Sequence, residues 1–352
     1  MVYQPLTSLD PTKTRNASDT LCCLFDIPSL RDFQVQAGQN ILRGRDTFLD
    51  IPTGGGKTLA FYYPLFYHWQ PGKLEHDSLK ITLVIGPLSG LLESQADVLN
   101  KKGVPAIALT GETEKLMDAL KDFGNGKYRV GFIGPEMALS RDFHEMVLES
   151  RVFQDSIISV VVDEGHNVSE WGTDDFRPAF AKIQALPGRL PSELPTLVVS
   201  ATIPPEVIAD IQDKLGMGNG CDIIAVSNEK PNVALSVRVM QHPQDTFADL
   251  LSLFPLDLTS SDGFPQTLIY VNSRQDAERI QDFLRQYCPD CVPKTSFEFY
   301  HRFIADDRKK FVEKGLHDES LRAVPATDAL GMGLDFRSVK RVVLWNEPRT
   351  FN

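Results

Sequence analysis

The stretch Asp46-Thr-Phe-Leu-Asp-Ile-Pro-Thr-Gly-Gly-Gly-Lys57-Thr58 decides the fold. Phe48, Leu49 and Ile51 read as a short buried strand. Three glycines then turn the chain, and Lys57 and Thr58 open the apolar segment Leu59 to Phe66. A strand, a glycine turn and a helix in that order make a phosphate cradle. Backbone N–H groups along Thr53, Gly54, Gly55 and Gly56 can turn inward around an anion, and the helix points its positive end at the same spot. Lys57 adds a full charge, and the Thr58 hydroxyl can hold Mg²⁺. The first glycine of G-x-x-x-x-G-K-[ST] would fall at position 51, which is Ile51. A glycine-rich loop before a helix can also be purely structural, but two residues with phosphate and metal chemistry at the required spacing favour a ligand.

A chain of 352 residues exceeds one ordinary domain, so two lobes are expected, each with its own core. Met1 to Thr20 lacks an apolar run, so no secretory signal is expected, and the longest apolar stretches, such as Ile157 to Val162, have strand length. Five cysteines, an odd number, suit free thiols in a reducing compartment. Cys288-Pro-Asp-Cys291 has metal-ligand spacing, yet no second C-x-x-C or nearby histidine pair completes a tetrahedral site, so no zinc is expected. The formal charge of −11 weighs against a polyanion partner. That acidity is uneven: residues 1–230 carry 21 Lys and Arg against 30 Asp and Glu, and residues 231–352 carry 15 against 17. Local placement of Lys and Arg, which governs phosphate contact, leaves nucleic acid open.

Residues 1–24 read as a mobile polar tail, and an amphipathic region between Thr20 and Arg45 leads into the phosphate loop. Apolar runs at Ile81–Ile85, Arg129–Ile133, Ile157–Val162 and Thr196–Val199 then recur at the spacing of β-α units. That alternation predicts an α/β fold with a mostly parallel sheet flanked by helices. Turn formers from Ser227 to Asn232 place a hinge near 228–234, giving a first lobe over 25–229 and a second over 230–352. In the second lobe, Gln266–Val271 and Arg341–Trp345 read as strands and Arg274–Gln286 as a helix.

Val160-Val-Val-Asp163-Glu164-Gly-His166 is the second informative stretch. A β-branched strand delivers two carboxylates to its C-terminal end, where open parallel sheets bind ligands. With the phosphate loop, Asp163 can complete a Mg²⁺ site and Glu164 can orient a water for attack on a γ-phosphate. Ser200-Ala-Thr202 follows another strand, and its hydroxyls can bridge to His166 or a carboxylate and couple the phosphate site to movement.

Together, Thr53 to Thr58, Val160 to His166 and Ser200-Ala-Thr202 resemble superfamily 2 helicases, and further words resemble the RecQ family of ATP-dependent DNA helicases. These are Leu30-Arg31-Asp-Phe-Gln34, Gly86-Pro-Leu-Ser89 through Gln95, Ser169-Glu-Trp171-Gly, Asp175-Phe176-Arg177-Pro178, Ile269-Tyr-Val-Asn272-Ser273-Arg274, Tyr300-His301, and Ala326-Thr327-Asp328-Ala-Leu-Gly331-Met-Gly333. The resemblance covers residues 25–348 and implies two RecA-like lobes with ATP and Mg²⁺ between them. Gln34, with Arg31 as a second candidate, would contact adenine. Trp171, Phe176 and Arg177 would touch single-stranded DNA and signal that contact to the ATP site, and Ser89, Gln95, Asn272, Ser273, Arg274 and Thr327 would line the strand path. Asp328, Gly331 and Gly333 would face the nucleotide. The implied activity is ATP-driven 3′-to-5′ movement on single-stranded or forked DNA in recombination and repair, in the nucleus of a eukaryote.

The sequence departs from the family in three places. Gly165 stands where the acidic box has alanine, which is expected to loosen the backbone between Glu164 and His166. The aromatic segment lacks its histidine and gains a residue at Thr173-Asp174. The family's Gln-x-x-Gly-Arg-x-Gly-Arg segment would follow Trp345, but the sequence ends at Asn352, so the second lobe is expected to be incomplete and hydrolysis slow; an arginine finger contributes on the order of 10³ to 10⁵ in rate. Two alternatives therefore stand beside the helicase: a non-catalytic nucleotide- and DNA-binding derivative, and a DNA-stimulated ATPase that moves without unwinding.

Overall fold

The computed structural model describes residues 2–72, 79–170, 179, 182–218, 220–330 and 336–346. The chain forms two compact units, Met1–Lys230 and Pro231–Asn352.

In the first unit, among the described residues, seven strands form one sheet. They are β1 (Thr47–Asp50), β2 (Ile81–Ile85), β3 (Ala106–Leu109), β4 (Val130–Ile133), β5 (Ile157–Asp163), β6 (Thr196–Ser200) and β7 (Asp222–Ala225). Their order is β3-β4-β2-β5-β6-β1-β7, and every neighbouring pair is parallel. Parallel pairs need crossovers, which lay helices on both faces, so the central strands are apolar on both sides. In β5 all seven residues are buried. Val161 packs into a core shared with helices α1 (Pro11–Phe25), α2 (Asp32–Leu42), α3 (Thr58–His68) and α4 (Ser89–Lys101), while Val160 and Val162 pack into the core on the other face.

Residues 2–24 do not form a tail. Asp10 caps α1, its carboxylate accepting the N–H groups of Thr12 and Lys13, and Pro11 stands at the first helical turn. The helix packs on α3: Ala17 and Leu21 are fully buried, Phe25 stacks on Tyr62 at 6.0 Å, and the Asp10 N–H donates to the Tyr67 hydroxyl at 2.7 Å. A narrow apolar stripe on an otherwise polar helix is enough to anchor it.

The second unit holds a three-stranded parallel sheet among its described residues, in the order β10 (Arg341–Leu344), β8 (Thr267–Tyr270), β9 (Ala323–Ala326). Leu268 and Ile269 alternate between two cores. Ile269 joins Ala277, Ile280 and Leu284 of the helix Arg274–Tyr287, and Leu268 joins Val312 and Leu316 of the helix Asp306–His317. Pro325 sits within β9, where its carbonyl accepts the Tyr300 N–H at 2.9 Å. Its ring nitrogen therefore faces away from β8 and costs the ladder nothing.

Candidate active site

Four strands set the geometry. Asp50 of β1 pairs with Ser200 of β6, Asp163 of β5 with Val199 of β6, and Ile85 of β2 with Val162 of β5. The ends of β2, β5, β6 and β1 thus lie side by side, and the segments that follow them leave from one edge, where parallel sheets take ligands.

The phosphate loop runs from Ile51 to Lys57. Gly54 and Gly56 have φ of 76° and 83°, the left-handed region that glycine enters without strain, and the chain enters α3 at Lys57. A Cβ on Gly55 would lie 2.5 Å from Cγ2 of Ile51, which is buried. The position where the common motif has its first glycine is therefore filled by a core side chain that supports the turn from below. Arg31 and Gln34 brace the loop from α2: Arg31 Nη1 donates to Gly55 O at 2.9 Å and Gln34 Nε2 to Gly56 O at 2.7 Å, while Gln34 Oε1 accepts the Arg31 N–H at 2.8 Å. Both polar ends of Gln34 are engaged, and the side chain is buried. Lys57 is half-buried, and its ammonium has no ion pair or hydrogen bond among the described residues. Its charge opposes the upward pKa shift that burial imposes on Asp50 and Asp163.

Asp163 is buried, and its pKa is pushed up to about 6, chiefly by desolvation and next by Glu164; Lys57, the Glu164 N–H and a hydrogen bond from the Gln95 side chain oppose the shift. Gln95 therefore stands against the carboxylate, with its own Oε1 buried and unpartnered. Glu164 has φ of 50°, a left-handed conformation that is uncommon for a non-glycine residue. His166 Nδ1 lies 2.7 Å from Ser200 Oγ and 3.5 Å from Glu164 Oε2. Ser200 Oγ also donates to Thr202 O at 3.2 Å. Gly165 does not loosen this turn. Its N–H donates to Val199 O at 2.8 Å, and a Cβ there would come within 2.3 Å of Val198 Cγ1. β6 runs too close for an alanine.

The remaining candidates fall elsewhere. Thr53 is exposed on the loop, Thr58 is half-buried at the start of α3, and Ser89 is exposed at the start of α4. In the second unit, Ser273 caps the helix Arg274–Tyr287 by accepting the Asp276 N–H at 3.0 Å, with Asn272 and Arg274 exposed beside it. Thr327 donates its N–H to Tyr300 O at 3.1 Å, and Asp328 is exposed next to it. Trp171, Phe176, Arg177, Gly331 and Gly333 lie outside the described residues. Cys288 Sγ approaches Val292 O at 3.7 Å and Cys291 Sγ approaches Leu258 O at 3.4 Å. Asp50 was missed in the sequence. Its pKa is raised by burial and its Oδ1 is buried without a partner, and its place as an acid closing an apolar strand was the available signal.

These residues fit a magnesium nucleoside triphosphate. A loop with two left-handed glycines and an unpaired lysine suits phosphates, and the buried oxygens of Asp163 and Gln95 beside it suit a hydrated cation.

Residues 31–211 match the family model for the DEAD/DEAH box helicase, a span of more than half the chain. Among curated relatives, the ATP-dependent helicase SGS1 of Saccharomyces cerevisiae is 27% identical over 93% of the chain and 21% of its own length. The ATP-dependent DNA helicase RecQ of Haemophilus influenzae is 27% identical over 99% of the chain and 52% of its own length. The chain thus spans about half or less of these relatives. Among solved structures, the DUF1998 helicase MrfA bound to DNA and AMPPNP superposes with a TM-score of 0.67 at 18% identity, covering 99% of this chain and 48% of that one. Mss116p bound to ssRNA and AMP-PNP gives 0.67 at 18% identity, covering 97% and 67%. The fold is that of RecA-like helicases, the sequence is similar to RecQ-type DNA helicases, and the chain belongs to the DEAD/DEAH box helicase family.

Proposed function

We propose that this chain is the motor of a RecQ-type DNA helicase that couples ATP hydrolysis to 3′-to-5′ movement along single-stranded DNA and to unwinding of forked duplex, in recombination and repair. The observation that carries the reading is the convergence of Lys57, Asp163, Glu164 and the His166–Ser200 contact at one edge of four adjacent parallel strands. Gly54, Gly55, Gly56 and Lys57 hold the phosphates, Thr58 and Asp163 hold Mg²⁺, and Gln34 with Arg31 reads the adenine. When bound, Mg²⁺ offsets negative charge on the β- and γ-phosphates. Glu164 positions a water for in-line attack on the γ-phosphate. His166 carries the change at that phosphate to Ser200 and Thr202. Trp171, Phe176, Arg177, Ser89, Asn272, Ser273, Arg274 and Thr327 contact the DNA strand, and Asp328, Gly331 and Gly333 complete the nucleotide site. In a eukaryote the protein works in the nucleus.

The test is strand separation on forked duplexes carrying either a 3′ or a 5′ single-stranded tail, with Lys57→Ala as the control. Unwinding from the 3′ tail only, lost in Lys57→Ala, supports the reading. Hydrolysis with no strand separation on either fork would leave a translocating ATPase instead.

A further inference from the structure

Phe303 stands out on the second unit. The residue is 65% exposed at the tip of a turn where His301 and Ile304 are buried. Arg274 and Arg302, both exposed, place their guanidinium carbons 5.2 Å and 5.0 Å from the ring centroid. Neither arginine has a carboxylate partner among the described residues, and the nearby acid Glu278 is engaged by His301 Nε2 at 3.1 Å.

The turn is held in place. The Phe303 N–H donates to His301 Nδ1 at 3.2 Å, which leaves the proton on Nε2 facing Glu278. His301 also stacks on Phe299 at 5.2 Å, and Ile304 N–H donates to His301 O. An aromatic ring held out to solvent, with two unpaired guanidinium planes against it, loses apolar burial and leaves positive charge uncompensated. Both features suit a partner with flat π-faces and negative charge.

We infer that Phe303, Arg274 and Arg302 form a base-stacking grip for single-stranded DNA on the second unit, with the ring and guanidinium planes taking a base and the guanidinium N–H groups the adjoining phosphates. This rests on the DNA reading above and adds Phe303 and Arg302 to it. Every base offers a π-face, so such a grip holds a moving strand without selecting its sequence.

The experiment measures the affinity of the full chain for an oligothymidine and for an abasic oligomer of equal length, across a salt series. Phe303→Ala is expected to bind oligothymidine about tenfold more weakly, within the range of one lost base stack, and to bind the abasic strand as the native chain does. Arg302→Ala is expected to weaken both strands and to lower the slope of log affinity against log salt by about 1. In Phe303→Trp, the added indole fluorescence is quenched by oligothymidine and not by the abasic strand. Native oligothymidine affinity in Phe303→Ala, or an equal loss on both strands, would overturn the stacking grip while leaving DNA binding intact. A native chain that binds neither strand would overturn this inference and the DNA reading together.

Discussion

His166 Nδ1 lies 2.7 Å from the Ser200 hydroxyl, joining the segment that follows β5 to the last residue of the adjacent strand β6. Asp163 closes β5 and Glu164 opens the segment after it, while Ser200 leads through Thr202 into the helix Pro205–Leu215. A change at the phosphate can thus shift a second element through one contact. Ser200→Ala combined with Thr202→Ala removes it without touching Lys57, Asp163 or Glu164. DNA-stimulated ATP hydrolysis is expected to stay within a few-fold of native while unwinding falls at least tenfold, about 1.4 kcal/mol of coupling. Parallel loss of both activities, or of neither, would separate this contact from coupling.

Gly165 is a packing requirement. Gly165→Ala drives a Cβ into Val198, and overpacking of this kind costs about 1–3 kcal/mol. Adding Val198→Ala opens the space, so the double variant is expected to recover part of the stability in a urea-denaturation cycle. Strict additivity of the two losses would contradict the contact.

Gln34 bridges Gly56 O and the Arg31 N–H, so it shapes the phosphate loop before any nucleotide arrives. Removing it costs about 1 kcal/mol for a lost hydrogen bond. Because Gln34 is the proposed adenine reader, Gln34→Ala is expected to weaken ATP binding more than GTP binding, and calorimetric titration of both nucleotides measures the difference. Equal losses would confine Gln34 to bracing the loop.

His68, at the last turn of α3, has its pKa held down to about 4 from an ordinary 6.5, mainly by burial and further by Lys80 and Lys13. The folded state keeps the ring neutral while the unfolded chain protonates it, so stability is lost as pH falls from about 6.5 towards 4. The side chain is only partly shielded from solvent, so the loss from this group is on the order of 2 kcal/mol. His68→Gln is expected to flatten the fall in unfolding free energy across that window, and an unchanged slope would assign acid sensitivity elsewhere.

Most of the fold was legible where burial is continuous. β2 is apolar except for Thr82, and β5 except for Ser159 and its closing Asp163, and such runs announce buried parallel strands. β7 was hidden because it is an edge strand with Ile223 exposed, next to turn formers. β9 was hidden by Pro325, whose missing N–H matters only on the side facing β8. α1 was hidden because its buried stripe is only Ala17 and Leu21, although Asp10-Pro11 is a helix start written in the sequence. The phosphate loop, the acidic pair and Ser200-Ala-Thr202 were legible as words. Gln95 against Asp163, Gln34 against Gly56 and Val198 against Gly165 were not, because each depends on which segments the sheet order brings together.

The central claim is that Lys57, Asp163 and Glu164 form an ATP-hydrolysing site answering to DNA. The direct measurement is the ATP hydrolysis rate of the full chain with and without single-stranded DNA, beside Lys57→Ala and Glu164→Gln. The account predicts hydrolysis that rises at least tenfold with DNA, is lost in Lys57→Ala through failed nucleotide binding, and is lost in Glu164→Gln with nucleotide binding retained. Native hydrolysis no faster with DNA than the Lys57→Ala background would contradict it.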